Sequence, residues 1–393
     1  MKYRVTVIET RKELHGWYKG KRECTAERLL INPYNGCSVG CFYCYARALP
    51  GYFEKFHNSG EIFVAKDFDK VVAEQIDSLH VASCGYLSPV TDPFQEVNND
   101  YKLSEKIVKV FVERNLPVEV ITKCRIPEEV MELMKTQKDG HCFCQVSILT
   151  CNEELRKILS PGGATTDVLF DNIYRAAKNG LYAVCRIDPI FPYITDDKKA
   201  LSEVVARSVD CGARHIVASV LDIPKKIFSF VISKIKEYFG NSTAWDYKKL
   251  YVEDIGYINA KIEYRRRVFD FLRNLCDKKN ITFALCMEYE LKRAEGSISS
   301  ELKPIGLNRE YMSSINCEGI NIPIYVREGK YFHPATKEGE CYGNCLSCKE
   351  ALCGIKDLAM GRDENTKKDW KLKDYRRWSR EITCGNYFNN FIS

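Results

Sequence analysis

The chain is organised around residues 32–47, which read NPYNGCSVGCFYCYAR. This stretch holds three cysteines, Cys37, Cys41 and Cys44, at spacings of four and three residues. Gly36 and Gly40 allow the loop to fold tightly enough for three thiolates to reach one metal centre. Three thiolates are too few for a closed tetrahedral zinc site and one short of an ordinary Cys₄ iron–sulfur set. The loop therefore predicts a catalytic metal centre that keeps one position for another ligand.

The spacing C-x3-C-x2-C, followed by an aromatic residue, resembles the cluster loop of the radical S-adenosylmethionine (SAM) superfamily. The longer pattern N-P-Y-x-G-C-x-x-G-C-x-Y-C-Y-A-R is similar to the spore photoproduct lyase-like branch, also described as DNA repair photolyase-like. The resemblance implies that Cys37, Cys41 and Cys44 hold a [4Fe–4S] cluster and that SAM chelates its fourth iron. A chance group of cysteines or a zinc loop is the alternative interpretation.

The resemblance also implies a reaction. The reduced cluster would pass one electron, supplied by a donor such as flavodoxin or ferredoxin, to SAM. A 5′-deoxyadenosyl radical would then abstract hydrogen from the substrate, for which a nucleic acid or a nucleotide-like molecule is the first expectation.

The hydrogen donor is where the chain departs from the photoproduct lyase pattern. Those lyases carry a donor cysteine shortly before a Ser-Asp pair, whereas Pro89 stands at the matching place before Thr91-Asp92. Cys84 is the nearest cysteine, so Cys84 and Cys124 are the candidate donors, and inert buried thiols are the other interpretation.

Composition describes an ordinary globular protein of 393 residues, with 45% apolar and 28% charged residues. No apolar run approaches the ~20 residues that span a membrane, and the start lacks the core of a signal peptide, so we expect a cytoplasmic protein without membrane contact. The 19 cysteines then favour metal ligation or burial over disulfides. The net charge of +6 identifies no partner.

Short apolar strands alternate with amphipathic helices over residues 28–220, which predicts a parallel sheet with right-handed crossovers. One of these helices is predicted at 161–179, and residues 225–280 are predicted to be helical and charged. Periodicity leaves an open doubly wound sheet and a barrel both possible, and the resemblance favours a partial (β/α)6 TIM-type barrel. We expect an N-terminal extension at 1–27, the barrel at 28–300, and a small Cys-rich C-terminal module at 301–393 that includes a basic and aromatic tail.

Polar side chains at the ends of the predicted strands form the candidate cofactor site, because parallel barrels carry their chemistry at that edge. They are Ser88, Asp92, Lys123, Ser147 and Arg186, with Thr91, Thr150 and Asp188 at the same edge. Asp92 is a candidate acceptor for the ribose hydroxyls or the ammonium of SAM. Lys123 could pair with the SAM carboxylate as a point charge, and Ser147 could donate to the ribose. Turn caps and surface ion pairs are the alternatives.

Two tyrosines flank the last cysteine of the loop. By the resemblance, Tyr43 lies near the adenine of SAM, and Tyr45 lies near the cluster or the substrate radical. Packing of both rings, with their hydroxyls hydrogen-bonded, is the other interpretation.

A second cysteine group, Cys341, Cys345, Cys348 and Cys353, follows the pattern C-x3-C-x2-C-x4-C. Four ligands in thirteen residues predict a metal site, with an auxiliary [4Fe–4S] cluster favoured over structural zinc and the choice left open. Residues 367–380 mix lysines and arginines with Trp370, Tyr375 and Trp378, and residues 265–267 are three arginines. Such segments are candidates for nucleic-acid contact, although charge runs are usually solvated surfaces.

Two other functions remain open from the sequence. The same radical chemistry could modify a peptide or a small metabolite with help from the C-terminal metal site. Alternatively, the chain could be a zinc-containing nucleic-acid-binding protein without redox activity.

Overall fold

The computed structural model describes residues 3–17, 24, 26–293, 302–337, 340–345, 348–358 and 370–384. The strands are β1 (Arg4–Ile8), β2 (Leu29–Ile31), β3 (Tyr34–Asn35), β4 (Glu61–Ala65), β5 (Val81–Ala82), β6 (Gly85–Leu87), β7 (Val118–Thr122), β8 (Phe143–Ser147), β9 (Tyr182–Ile190), β10 (His215–Val220), β11 (Ile223–Pro224), β12 (Tyr251–Asp254), β13 (Tyr257–Ala260), β14 (Thr282–Leu285), β15 (Tyr289–Arg293), β16 (Leu302–Gly306), β17 (Tyr325–Glu328) and β18 (Tyr331–Pro334). The helices are α1 (Tyr52–Ser59), α2 (Phe68–Asp77), α3 (Asn98–Tyr101), α4 (Leu103–Glu113), α5 (Glu128–Lys135), α6 (Glu153–Leu159), α7 (Thr166–Lys178), α8 (Lys198–Asp210), α9 (Phe228–Leu250), α10 (Ile262–Lys278), α11 (Asn308–Tyr311) and α12 (Leu372–Cys384), with 3-10 turns at Tyr45–Ala48 and Lys225–Ile227.

A sheet of seven strands forms the centre of the fold, in the order β14-β10-β9-β8-β7-β6-β2. All neighbouring pairs are parallel. The strands follow one another in chain order, without the reversal that marks a doubly wound sheet. Within the described residues the edge strands β2 and β14 do not pair with each other. The prediction of a partial TIM-type barrel is confirmed, with β14 as a seventh strand.

The strands form where apolar and β-branched residues can be buried on both faces. Every residue of β8 and of β10 is buried, as expected for parallel strands covered by helices. The predicted helix at 161–179 begins later, because Thr165 caps α7 and accepts a hydrogen bond from the Val168 amide. Residues 160–164 are therefore a loop, and this loop later proves important for the site.

The segment 225–280, predicted to be helical, contains a β-hairpin between two helices. β12 and β13 separate α9 from α10, and β13 also pairs with β11, giving a three-stranded antiparallel sheet. β11 begins three residues after β10 ends, so this sheet lies at the carboxyl end of the parallel strands. The turn Tyr45–Ala48, which ends the three-cysteine loop, packs against β11.

The predicted outer segments share the hydrophobic core of the barrel. Leu14 before the barrel, and Leu307, Tyr325 and Trp378 after it, all belong to one buried cluster with the strands. β17 pairs with β5, which ties the C-terminal residues to the sequence just before β6. The three-domain division stays a prediction, but its outer parts are not packed as separate cores. No helix in the described part of the chain is long and apolar enough to cross a membrane.

Candidate active site

The three-cysteine loop follows β2 and β3 at the carboxyl edge of the parallel sheet. Gly36 and Gly40 have φ values of 93° and 74°. Only glycine takes this left-handed region without strain, so the predicted need for glycine at both positions is confirmed. A Cβ at Gly36 would lie 2.9 Å from the Phe56 ring, so the first glycine is also required by close packing.

Gln95 fixes the backbone of the loop from the segment after β6. Its Nε2 donates to the Gly36 carbonyl at 3.1 Å, and its Oε1 accepts from the Ser38 amide at 2.8 Å. The Ser38 hydroxyl in turn accepts from the Glu96 amide at 3.1 Å. Gln95 is fully buried, so these bonds form without competition from water. One side chain therefore holds both flanks of Cys37.

The other side of the loop is held by Arg47 and by the loop after α6. Arg47 Nε donates to the Cys41 carbonyl at 2.8 Å. The Gly162 amide donates to the Val39 carbonyl at 2.9 Å, and a Cβ on Gly162 would lie 2.1 Å from the Ser38 carbonyl oxygen. Glycine is needed at 162 because the two backbones are in contact.

The three thiols are neighbours within one half-buried loop. Burial raises the pKa of Cys37 and of Cys44, and the Cys41 sulfur raises the pKa of both further. Among the described residues, no three His, Cys, Asp or Glu side chains lie close enough together to ligate a single metal ion. A cuboidal cluster binds each thiolate to a different iron, so its ligands do not have to converge on one point. The donor set of three soft thiolates on a tightly held loop fits such a cluster.

Polar atoms without partners lie beside this loop. Ser88 Oγ, Thr91 Oγ1 and Asn32 Oδ1 are buried and have no hydrogen-bond partner within the described residues. Ser88 and Asn32 follow β6 and β2 directly, so these atoms lie at the same edge as the cysteines. Buried polar groups are normally hydrogen-bonded, and unpartnered ones at a strand end fit a polar ligand such as SAM. The residues present therefore suit the cofactor that the loop pattern implies.

Asp92 has a structural task in this arrangement. Its carboxylate accepts from Thr122 Oγ1 at 2.8 Å, from the Phe94 amide at 2.9 Å and from the Lys123 amide at 2.6 Å. These bonds join the loop after β6 to the end of β7. A carboxylate has about four lone-pair positions, so only one remains for a ligand. The predicted role of Asp92 in binding SAM stays a prediction.

Lys123 comes directly after β7. Its ammonium makes no hydrogen bond or ion pair with the described residues. It lies within electrostatic range of Cys44, Asp92 and Asp188. An ammonium surrounded by acidic groups, but paired with none of them, is available to an anionic ligand. This position agrees with the predicted partner of the SAM carboxylate, a role that no finding tests.

The tyrosines beside Cys44 face different surroundings. Tyr43 is buried, its ring lies 4.8 Å from Phe191 in an edge contact, and its hydroxyl is 3.4 Å from Ser160 Oγ. Tyr45 is 39% exposed, and its hydroxyl donates to the Pro89 carbonyl at 2.7 Å. Tyr43 thus packs within the loop, whereas Tyr45 is exposed at the barrel edge, and the predicted roles of both tyrosines stay predictions.

Arg186 belongs to a chain of hydrogen bonds along neighbouring strands. Its Nη1 donates to Gln145 Oε1 at 2.8 Å, and its Nη2 donates to Asp188 Oδ2 at 2.5 Å and to Cys286 Sγ at 3.0 Å. Ser147 is the register partner of Arg186 on β8. Arg186 is thus already neutralised by Asp188, which leaves it less suited than Lys123 to bind a carboxylate.

The two cysteines named as hydrogen donors are placed very differently. Cys124 lies within electrostatic range of Asp92, Cys37 and Cys41, beside the loop. Cys84 immediately precedes β6 and lies near Arg28 and Glu119, so it is at the amino end of the sheet. Ser88 is four positions further along, about 13 Å of extended chain. The position of Cys84 does not favour contact with a substrate at the three-cysteine loop.

The C-terminal cysteines lie at the opposite end of the barrel. Cys341, Cys345, Cys348 and Cys353 are within electrostatic range of one another. Cys345 also lies near Glu27, which comes two residues before β2, whereas the three-cysteine loop follows β2. Metal binding at these cysteines, and the choice between iron–sulfur and zinc, stay predictions, and such a metal would lie away from the candidate active site.

The prediction that the aromatic residues of segment 367–380 contact nucleic acid is wrong. Trp370, Tyr375 and Trp378 are at most 3% exposed, and Tyr375 Oη donates to Glu27 Oε1 at 3.1 Å. Hydrophobic packing, and not solvent, surrounds these rings, so they cannot stack on bases. The side chains of Lys367, Lys368 and Arg380 lie outside the described residues.

The arginine run at 265–267 is also not an open basic surface. Arg265 is fully buried and pairs with Glu253 and Glu288, each at 2.8 Å. Arg266 pairs with Glu290 and Glu310, each at 2.7 Å. These pairs neutralise most of the charge that the sequence suggested was free.

Several residues of the site escaped sequence reasoning. Gln95 follows Asp92 by three positions, but its contact with the loop could not be inferred from the sequence. Gly162 and Arg47 contact the backbone of the cysteine loop, and no residue pattern in the sequence predicts such contacts. Tyr251 begins β12, within the segment 225–280 that was predicted to be helical, and Asp222 immediately precedes β11.

Comparison with known proteins agrees with this geometry. The family model of the radical SAM superfamily matches residues 31–204. The radical SAM Nalpha-GlyT isomerase of Pseudomonas phage M6 is 25% identical over 358 residues, covering 87% of this chain and 72% of that protein. An uncharacterized protein of Methanocaldococcus jannaschii is 26% identical over 180 residues, covering 45% of this chain and 65% of that protein.

The fold is also similar to a solved structure. Spore photoproduct lyase, as a mutant with bound AdoMet and dinucleoside spore photoproduct, aligns with a TM-score of 0.53 at 13% identity, covering 70% of this chain and 79% of that chain. At this identity the likeness concerns the fold alone. The family-model match identifies residues 31–204 as a radical SAM domain, and over most of its length the chain is similar to a radical SAM enzyme.

Proposed function

We propose that the protein binds a [4Fe–4S] cluster through Cys37, Cys41 and Cys44, and uses SAM to abstract hydrogen from a nucleic acid or nucleotide-like substrate. The observation that carries the proposal is the three-cysteine loop, held from both sides next to unpartnered polar atoms at the carboxyl edge of the barrel. The phage relative, whose name includes Nalpha-GlyT, and the lyase structure with a dinucleoside both favour this substrate class.

The chain's own residues would bind and orient the reactants. The cluster and SAM together supply a one-electron cleavage that yields a carbon radical. Lys123 would pair with the SAM carboxylate, and Ser88, Thr91 and Ser147 would hydrogen-bond its polar groups. Tyr43, Phe42 and Phe191 exclude water from one side of the loop, since their rings pack within 6.2 Å of one another.

The test is anaerobic reconstitution with iron and sulfide, followed by SAM and dithionite, with 5′-deoxyadenosine as the readout. We expect Cys41→Ala to lose the loop-bound iron and to reduce 5′-deoxyadenosine formation to background. Cys211→Ala is the matched control, because Cys211 is a half-buried cysteine at the end of α8. A Cys41→Ala protein that cleaves SAM at the wild-type rate would refute the assignment of the loop.

Substrate class is tested with deuterated candidates. We expect deuterium to pass into 5′-deoxyadenosine from a DNA oligonucleotide or from an Nalpha-GlyT nucleoside, and not from a peptide. Transfer from the peptide alone would instead support the second function, radical modification of a peptide or metabolite.

The position of the C-terminal cysteines bears on that second function. An auxiliary cluster that anchors substrate must lie near Cys44, whereas Cys345 lies near Glu27, on the other side of β2. We infer that metal at these cysteines, whether zinc or iron–sulfur, would stabilise the C-terminal segment. An electron donor such as flavodoxin or ferredoxin remains part of the proposal.

A further inference from the structure

A group of carboxylates lies at the carboxyl end of β10 and β14. Asp222 comes two residues after β10, Glu288 three residues after β14, and Asp188 on β9 is close to both. Glu288 accepts from Arg265 Nη1 at 2.8 Å, and Asp188 accepts from Arg186 at 2.5 Å. These two carboxylates are therefore already neutralised by buried arginines.

Asp222, unlike Glu288 and Asp188, is not paired with an arginine. Its side chain is partly exposed and accepts from the amide of its own residue, and within the described residues it makes no ion pair. Arg265 lies within electrostatic range but is committed to Glu253 and Glu288. A carboxylate held between two others, and left unpaired, is expected to attract a cationic ligand.

A buried tyrosine faces the same place. Tyr251 is 4% exposed, its hydroxyl has no hydrogen-bond partner, and it lies within electrostatic range of Asp222 and Glu288. Its ring stacks on Tyr247 at 5.1 Å and 5°. A hydroxyl oxygen that accepts no bond and a carboxylate that is unpaired can both be satisfied by a group with several N–H donors. Aromatic rings also favour cations.

This place borders the three-cysteine loop. The Tyr257 hydroxyl is within electrostatic range of both Asp222 and Cys44. Tyr45, the residue after Cys44, is likewise within range of Tyr257 and Asp188. A ligand bound at Asp222 would therefore share a neighbour, Tyr257, with the predicted cluster ligand Cys44.

We propose that Asp222 and Tyr251 form a subsite for a protonated primary amine of the substrate. The proposal deepens the proposed function and rests on it, because it takes the barrel edge at Cys44 as the place of reaction. The ammonium would donate one hydrogen bond to the Asp222 carboxylate and one to the Tyr251 hydroxyl oxygen. The substrate class then narrows to nucleotide-like molecules that carry an amine.

The subsite has a defined dependence on pH. Burial, together with repulsion from Glu288 and Asp188, raises the pKa of Asp222 to about 8, against the opposing effects of its own amide and of Arg265. Tyr251 and Tyr257, which also face Asp222, stay neutral because burial raises the pKa of both. Ammonium binding requires the ionised carboxylate, so binding strengthens as pH rises through 8, until the amine itself loses its proton near pH ~10.4.

The experiment uses the full chain without metal or SAM, labelled with ¹³C at the aspartate carboxyls. Asp222→Asn assigns the Asp222 resonance, whose titration is followed with and without methylammonium chloride. We expect methylammonium to lower the midpoint by about 0.5 pH unit or more, because it binds only the ionised form. Sodium chloride at equal concentration, and neutral acetamide, should leave the midpoint within about 0.1 pH unit.

Two variants sharpen the result. Tyr251→Phe removes the hydroxyl and keeps the ring, and we expect it to reduce the methylammonium shift at least about twofold. Glu263→Gln, an exposed position on the neighbouring α10, removes one negative charge and should leave the shift intact. An unchanged midpoint in methylammonium, or an equal shift in sodium chloride, would overturn the proposal. SAM cleavage plays no part in this measurement, so failure of the subsite and failure of the radical function are distinguishable.

Discussion

The side chain of Gln95 shows how one residue outside a motif sets the geometry of that motif. It bonds the backbone on both sides of Cys37 while fully buried. The three cysteines specify which atoms can bind metal, but their spacing alone leaves the loop many conformations. A buried amide that donates to one peptide group and accepts from another removes most of that freedom.

Gln95→Ala should therefore loosen the loop. The change leaves the Gly36 carbonyl and the Ser38 amide without partners, at a cost of about 1–3 kcal/mol each. We expect urea unfolding of the metal-free protein to show a loss of about 2–4 kcal/mol, and reconstitution to retain less iron. Glu96→Ala, at the exposed neighbouring position, is the control and should change stability by less than about 0.5 kcal/mol. Wild-type iron retention in Gln95→Ala would contradict this role.

At the scale of elements, loops from distant parts of the chain meet at the carboxyl edge of the parallel strands. The loop after β2 carries the cysteines, the segment after β6 carries Gln95, and the loop after α6 carries Gly162. Parallel strands connected by right-handed crossovers place every such loop on one side of the sheet. The site is thus a consequence of the strand order, and each loop contributes only part of it.

Gly162→Ala tests this meeting of loops. The new methyl group would lie 2.1 Å from the Ser38 carbonyl oxygen, so one loop must move away from the other. We expect iron retention to fall several-fold, together with a stability loss of about 1–3 kcal/mol from overpacking.

Gly180→Ala provides the contrast for this prediction. Gly180 has a φ of 76° with open space around it, so alanine there is strained but touches nothing of the site. It should lower stability and leave iron retention unchanged. Equal iron loss in both variants would show that Gly162 acts only through general stability.

At the scale of the whole molecule, a buried polar chain links the C-terminal residues to the barrel edge. Arg28 pairs with Glu318 and, at 3.2 Å, with Glu119, which accepts from Gln145 at 2.8 Å. Gln145 in turn accepts from Arg186. This series of side-chain bonds extends from Arg28, at the amino end of β2, to Arg186 in the middle of β9. Glu318 lies after the barrel, so residues after the barrel complete its polar interior.

Glu318→Ala should therefore destabilise the whole barrel. It removes one carboxylate from a fully buried arginine, and breaking a buried pair costs about 3–5 kcal/mol. Denaturant unfolding should show this loss in a single transition. Glu328→Ala, an exposed glutamate on β17, should stay within about 0.5 kcal/mol of the wild type. A separate early transition for the C-terminal residues would instead indicate an independent domain.

Periodicity left a barrel and an open sheet both possible, and only the resemblance favoured the barrel. The sequence by itself determined the alternating strands and helices and the C-x3-C-x2-C pattern of the three-cysteine loop. These features depend on local spacing: the period of apolar residues and the short distance between cysteines. Even the need for glycine at 36 and 40 followed from a loop too short for other residues. The predicted start of α7 was wrong, because the Thr165 cap decides where this helix begins. The hairpin of β12 and β13 was not predicted, because it stands between two helices.

Only the tertiary structure decided what surrounds the loop. It showed that Gln95, Gly162 and Asp222 lie at the edge of the barrel, that Cys84 is at its other end, and that Trp370 and Trp378 are buried. Such contacts join residues tens to hundreds of positions apart, and they arise from the packing of whole strands against each other. Residue spacing carries no information on those distances, so a buried tryptophan and an exposed one look alike in the sequence.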